Sequence, residues 1–442
     1  MSKRGRRAGI ARADPWHNGG IMTEHILDEL AWRGLIAQTT GEDELRAALD
    51  AGPLTLYCGF DPTAPSLHHG HLVQLVLLRH LQQAGHRVLP LVGGATGMIG
   101  DPRMSGERVL NTKETVSEWV ERLRAQISMF LDFEGDNPAQ MVNNLDWTGE
   151  LSAIDFLRDV GKHFRLGTML AKDTVARRLA SDEGISFTEF SYQVLQGHDY
   201  LQLHRRHGCS LQTGGNDQWG NLLSGVELIR KSEGVAVHAL TTPLITKADG
   251  TKFGKSEGGA VWLAPDMMSP YAFYQFWINT EDADVVRFLK IFTFLTPDAI
   301  AEFERKVAEE PFRREAQRAL AWEVTSLVHG EAAAQGAVDA SQALFGRGDL
   351  GSLDAATLDG CGQELGGVTA QAGISVVDAL VAAGVVDSKS AARRAVQDGG
   401  AYLNNVKVED VDAVVSAGDA LAGGWAVLRR GKKSLGLVRL EG

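Results

Sequence analysis

The chain has 442 residues, 44% of them hydrophobic, and a formal net charge of −12, so two or three domains are expected rather than one simple core. An acidic balance excludes a uniformly basic nucleic-acid coat, and any RNA contact has to come from local basic patches. Cys58, Cys209 and Cys361 are too widely spaced for a disulfide framework or a zinc site, which fits a reducing, cytoplasmic setting, and no apolar run approaches the roughly 20 residues of a membrane span.

Residues 1–22 are basic and Gly-rich and lack the apolar run of a secretory signal, so they read as a disordered extension, with Met22 as an alternative start. Amphipathic helices are expected over 23–37 and 42–49. Residues 54–57 then form a strand that Gly59, Asp61-Pro62-Thr63 and Pro65 bring to an end. Ser66 is a plausible N-cap, and from His71 an apolar helix runs to Gly85. The unit is strand, turn, helix, with imidazoles where free N–H groups and the helix dipole suit phosphate. A second apolar strand, RVLPLVGG (87–94), leads to Asp101 at its carboxyl end, then a helix over 113–131 and a short strand at 141–144.

Helical segments occupy 151–180, and a longer helix ends at Gly208. SLQTGGNDQWGN begins another strand, Gly-rich turn and helix, VHALTTPLIT is a strand, and the segment with TKFGKS (251–256) is irregular. Residues 270–345 read as helices throughout, and 346–373, Gly-rich and weakly apolar, as a linker. A small unit closes the sequence. Alternating buried strands and helices predict a parallel sheet with ligands at the strands' carboxyl ends.

His68 and His71 are three apart, suited to share a helix face and donate to phosphates whose charge grows as a leaving group departs. Gly70 lets a ring approach the backbone. Zinc is disfavoured because no third ligand lies at metal spacing. Lys252 and Lys255 of TKFGKS are point charges for phosphate oxygens beside permissive glycines. Tyr192, Gln196 and Asp199 fall at i, i+4 and i+7, a polar stripe unusual for a core face. Arg393 and Arg394 on a helix, with Arg429, Arg430, Lys432 and Lys433 on a hairpin, concentrate positive charge in an acidic chain.

His68-His69-Gly70-His71 matches the HxGH signature of class I aminoacyl-tRNA synthetases, and TKFGKS resembles their KMSKS loop. With YCGFDPTA alongside, the chain is similar to the bacterial tyrosyl-tRNA synthetases. The resemblance implies an α/β fold: a Rossmann-type catalytic domain (23–268) with a helical insertion, a helical anticodon-side domain (269–345), the linker, and a small α+β RNA-binding domain (374–442) like one shared with a small-subunit ribosomal protein and pseudouridine synthases. It further implies a homodimer, tRNA(Tyr), L-tyrosine and ATP as ligands, magnesium accompanying ATP, and no metal held by the protein. Tyr57 and Asp199 would hold the phenolic hydroxyl, and Asp101, Tyr192 and Gln196 the ammonium. Gln218 would meet the tyrosyl carbonyl, with Gln212 supporting. Cys58, Gly59, Asp61, Gly70, Gly215, Asp217 and Lys255 would bind ATP. Thr63, His68, His71, Lys252, Lys255 and Ser256 would be catalytic, and Arg393, Arg394, Arg429, Arg430, Lys432 and Lys433 would meet tRNA.

Two departures stand out. The loop DPRMSGERVLN is short and carries Arg103 and Arg108 in place of a lysine, with Arg108 on the tRNA or pyrophosphate side, and His69 replaces the usual aliphatic residue and is expected to point away from the nucleotide. The rival readings are a tryptophanyl enzyme, against which Tyr57 and Asp199 argue, and an RNA-binding accessory without catalysis, which has no need to keep histidines, lysines and pocket carboxylates together.

Overall fold

A computed structural model describes residues 25–103, 106–251, 253–256, 259–431 and 434–441. The expected extension at 1–22 lies outside them. The central sheet comprises β1 (Gln38–Thr39), β2 (Thr55–Phe60), β3 (Arg87–Val92), β4 (Val142–Asn143), β5 (Cys209–Gly215) and β6 (His238–Thr242). Their order is β1-β6-β5-β2-β3-β4, parallel except for β1. From β2 the chain builds outward through β3 and β4, then returns to the other side for β5 and β6. The carboxyl ends of β2 and β5 therefore flank the switch point, where open α/β sheets form their crevice.

β2 shows why the sheet is buried on both faces. Leu56, Cys58 and Phe60 join one core with the apolar helix His69–Gln83, whereas Tyr57 enters a second core with Leu89, Tyr200 and Leu228. Strand alternation sends successive side chains to opposite layers.

The cap of the helix His69–Gln83 differs from the sequence expectation. Ser66 does not cap it: its hydroxyl donates to the Leu67 carbonyl and accepts from Ala264 N–H and Gln126. His68 is the N-cap, its Nδ1 accepting from Gly70 N–H at 3.1 Å, while His71 Nδ1 accepts from His68 N–H at 3.2 Å. With the serine fully engaged, an imidazole nitrogen satisfies the free amide. The segment after TKFGKS runs antiparallel to this one, through His69 N–H to Val261 O and Leu263 N–H to Leu67 O, both 2.9 Å. Part of the segment expected to be irregular is a short hairpin, Lys255–Ser256 against Gly259–Ala260.

Five helices follow between Pro270 and Ala343. Residues 346–373 are not a linker. They hold the helix Ala355–Glu364, capped by Asp354, and the strand Val368–Gln371, which pairs in parallel with Ser434–Glu441 in a five-stranded sheet. The glycines that suggested flexibility serve packing: a Cβ at Gly362 would lie 2.4 Å from the Trp425 ring. Trp425 donates to Asp359 at 2.7 Å and joins a core with Tyr271, Ala343, Leu358 and Cys361, fastening the C-terminal sheet to the helical unit. Trp425→Ala is expected to lower stability by about 3–5 kcal/mol. Urea unfolding followed at the C-terminal unit would read this as a lower midpoint, and an unmoved midpoint would refute it.

Candidate active site

A cleft of about 580 Å³ opens at the switch point. Tyr57, Cys58, Gly59, Asp61, Thr63, His68, Gly70, His71, Asp101, Tyr192, Gln196, Asp199, Gln212, Gly215, Asp217 and Gln218 all line it, together with Arg103 and Arg108. Lys252 lies outside the described residues, and of Lys255 and Ser256 only the backbone is described.

The floor is built around Asp199. Trp147 Nε1 donates to one carboxylate oxygen at 2.8 Å and Asn144 Nδ2 to the other at 3.0 Å. Asn144 also donates to Thr96 Oγ1, which donates to Asp61 at 2.6 Å, and Tyr192 OH donates to the other Asp61 oxygen at 2.7 Å. Burial pushes the Asp199 carboxyl up to about 7, against the opposing pull of Asn144 and Trp147. Burial likewise raises Asp61, opposed by Thr96 and Tyr192. Tyr57 is 1% exposed, yet its hydroxyl has no partner among the described residues, and neither do the Gln196 and Gln212 carbonyl oxygens. Buried polar atoms left open in a cleft are places for a ligand's own polar groups.

At the mouth Asp101 accepts from Gln218 at 3.0 Å and Asn221 at 3.2 Å, and Asn221 accepts from Lys172 Nζ at 2.6 Å. Burial lowers the Lys172 pKa, opposed by the charges of Asp101 and Asp217. At the helix end, the backbone amides that occupy Nδ1 of His68 and His71 leave Nε2–H as the donor of each neutral ring. Burial lowers both pKa values and keeps the rings neutral. A Cβ at Gly70 would stand 2.9 Å from the His68 ring, so glycine is required by the capping imidazole itself.

Sequence reading missed Thr96, Asn144, Trp147, Lys172 and Asn221. Asn144 and Trp147 follow the short strand β4, and their position at a strand's carboxyl end was the available signal. It also missed Arg178 and Glu189, a buried ion pair at 2.9 Å. Arg178 donates to Gly106 O and Arg103 O, and Glu189 accepts from Arg108 N–H, so the pair holds the backbone of Arg103 and Arg108, two residues that line the cleft. Among the surface cations, Arg393, Arg394 and Arg430 are exposed. Arg429 is a correction: it is 8% exposed, its guanidinium 4.1 Å over the Tyr402 ring and donating to Gly431 O, and is thus occupied within the protein. Lys432 and Lys433 lie outside the described residues.

Two family models match: tRNA synthetases class I (W and Y) over residues 49–346, and the tyrosine–tRNA ligase SYY-like C-terminal domain over 363–438. The tyrosine–tRNA ligase of Streptomyces griseus is 61% identical over 95% of this chain and 99% of its own length, and that of Leifsonia xyli 62% identical over 95% of each. A C-terminally truncated mitochondrial tyrosyl-tRNA synthetase of Aspergillus nidulans superposes with a TM-score of 0.66 at 31% identity, covering 73% of this chain and 95% of that one. A tryptophanyl-tRNA synthetase of Encephalitozoon cuniculi shares the fold, with a TM-score of 0.51 at 13% identity over 70% of this chain and 86% of its own.

The Asp199 shift predicts a pH-dependent penalty. Its ordinary value is 3.8 and its folded value about 7, so the folded state holds the extra proton between these pH values and loses stability as pH rises through them. Asp199→Asn should therefore unfold at a higher temperature than the parent at pH 8, with the gain shrinking towards pH 4. A gain independent of pH would refute this.

Proposed function

The chain belongs to the class I tRNA synthetases of the tryptophan and tyrosine branch, among its tyrosine–tRNA ligases, and on that premise we propose which of its residues perform each step. The tyrosine carboxylate attacks the α-phosphorus of ATP in line, and the bond to the bridging oxygen breaks as pyrophosphate leaves. The terminal ribose hydroxyl of tRNA(Tyr) then attacks the tyrosyl carbonyl and displaces AMP. Positioning and charge stabilisation provide the rate, with no covalent intermediate on a side chain.

The observation that carries this reading is the unpartnered, buried Tyr57 hydroxyl in the same closed end as Asp199. Its acceptor and donor capacity suits a phenolic hydroxyl, and a substrate without one leaves the Tyr57 hydroxyl unpaired, whereas Asp199 keeps its bonds from Trp147 and Asn144. Asp101, Tyr192 and Gln196 receive the ammonium, and the bond from Tyr192 to Asp61 adds Asp61 to that end. Gln218 faces the carbonyl, supported by Gln212. Cys58, Gly59, Gly70, Gly215 and Asp217 border the nucleoside. The neutral Nε2–H groups of His68 and His71 donate to phosphate oxygens, aided by Thr63, Lys252, Lys255 and Ser256. Magnesium enters on the ATP phosphates. Residues 23–268 provide catalysis and 269–345 the anticodon side. Arg393, Arg394 and Arg430 meet tRNA phosphates, in a cytoplasmic enzyme.

Exchange of labelled pyrophosphate into ATP tests the assignment. Tyrosine should support it, phenylalanine and tryptophan should not, and Tyr57→Phe should reduce the tyrosine-over-phenylalanine preference by roughly tenfold, the scale of one buried hydrogen bond. Exchange with tryptophan would contradict the pocket assignment, and none with any of the three would remove the activation reading.

We also propose a homodimer. Ile154, Leu157, Leu166 and Leu179 of the insertion are at least half exposed, and Phe187 is 74% exposed. Large apolar side chains left exposed in one insertion would be buried against a second copy of the chain. Sedimentation should give a dimer for the parent and a monomer for Phe187→Asp, and a monomeric parent would overturn the assembly.

A further inference from the structure

Loops seldom bury a large aromatic side chain, because their backbone needs water or specific partners. Phe253, in the middle of TKFGKS, is nonetheless only 8% exposed. Its ring centroid lies 4.4 Å from that of Phe288, 5.1 Å from Phe276 and 5.6 Å from Trp277, all on the helices Pro270–Ile278 and Asp282–Phe292. On its other side His69 meets it edge to face, at 5.5 Å and 83°. Gly254 completes the contact. Its φ is +80°, and a Cβ there would lie 1.9 Å from the His69 ring, so both conformation and space require glycine. His69 is itself fixed by its N–H bond to Val261 O. His69 is not among the residues lining the cleft, and its ring partner is Phe253 of the lysine loop.

We infer that Phe253 is a positioning residue for the activation step, anchoring the lysine loop between His69 of the histidine signature and the aromatic cluster of the helical unit. The inference rests on the reading that Lys252 and Lys255 serve the ATP phosphates. Lys252 is one Cα step, about 3.8 Å, from Phe253 along the chain, so the anchor bounds where the loop's charges can be delivered. The helical unit thereby sets the geometry of phosphate binding without touching ATP. The donors to Asp199 are Trp147 and Asn144 and the nearest ring partners of Phe253 are His69, Phe276, Trp277 and Phe288, so among the described residues the two sets have no member in common and the tyrosine floor should not sense the loss of the anchor.

The test uses the full chain with Phe253→Ala, Phe253→Met and Phe288→Ala. Phe253→Ala should lower kcat for tyrosine-dependent pyrophosphate exchange by about ten- to a hundredfold, as expected for misplaced charges, while tyrosine affinity measured by equilibrium binding stays within about twofold. Methionine, flexible and apolar, should restore most of the rate. Phe253→Ala combined with Phe288→Ala should be no slower than the slower of the two single variants within about threefold, because the two rings act as one unit. Trypsin should cut after Lys252 or Lys255 at least about fivefold faster in Phe253→Ala than in the parent, with other sites unchanged. Unchanged kcat together with unchanged cleavage would overturn the inference, as would tyrosine affinity falling in step with kcat. Faster cleavage in a chain whose parent shows no tyrosine-dependent exchange would keep the anchor and reject the functional reading beneath it.

Discussion

A buried carboxylate, Asp199, and a half-buried one linked to it, Asp61, impose the constraint on which the rest of the site depends. A buried charge without donors costs several kcal/mol, and removing one partner from a buried pair is correspondingly damaging. Asp199 and Asp61 meet that requirement through one chain of hydrogen bonds running Trp147, Asp199, Asn144, Thr96, Asp61, Tyr192. The donors come from the turn after β3, the segment after β4 and the helix Phe187–His207. The same bonds that make the carboxylates tolerable therefore lock three separate pieces of backbone around the cleft, and the floor is rigid before any ligand arrives.

Charge is graded along the cleft. Acidic groups gather at the floor and near Asp101, where Lys172 offsets them through Asn221. The helix end holds imidazoles kept neutral by burial, with Nδ1 committed to backbone amides. Neutral donors add no charge of their own, so they favour phosphate oxygens most when those oxygens gain charge as a bond breaks. A cationic group and a phosphate would therefore meet different surroundings within one cleft.

Much of this was legible in the sequence, because the informative residues sit in short motifs at the ends of strands. Strand β2, the histidine signature, the polar stripe of Tyr192, Gln196 and Asp199, and the Gly-capped helix end at Gly208 all follow local rules of period and capping. What escaped depends on partners remote in sequence. Trp147 and Asn144 lie in a short segment without period and acquire meaning only opposite Asp199. Arg178 and Glu189 flank irregular chain and look like ordinary surface charges until both are found buried. Gly362 and Gly367 read as linker glycines because the indole that needs their missing side chains is Trp425, far downstream. Arg429 read as a surface charge because nothing local reveals that Tyr402 covers it.

The parallel pairing of Val368–Gln371 with Ser434–Glu441 also governs the order in which the molecule can be assembled. Val368 finds its register partner only at Val438, and all the other strands of the C-terminal sheet lie between them in the chain. Non-local pairing of this kind forms slowly, because a long loop must close before any contact rewards it. During synthesis the catalytic sheet and the helices after it emerge and fold first. The helix Ala355–Glu364 then waits with one apolar side open until Trp425 and Leu437 arrive. That interval is when the nascent chain is most exposed to aggregation and proteolysis, and its length is set by the spacing of two strands rather than by the stability of the finished fold.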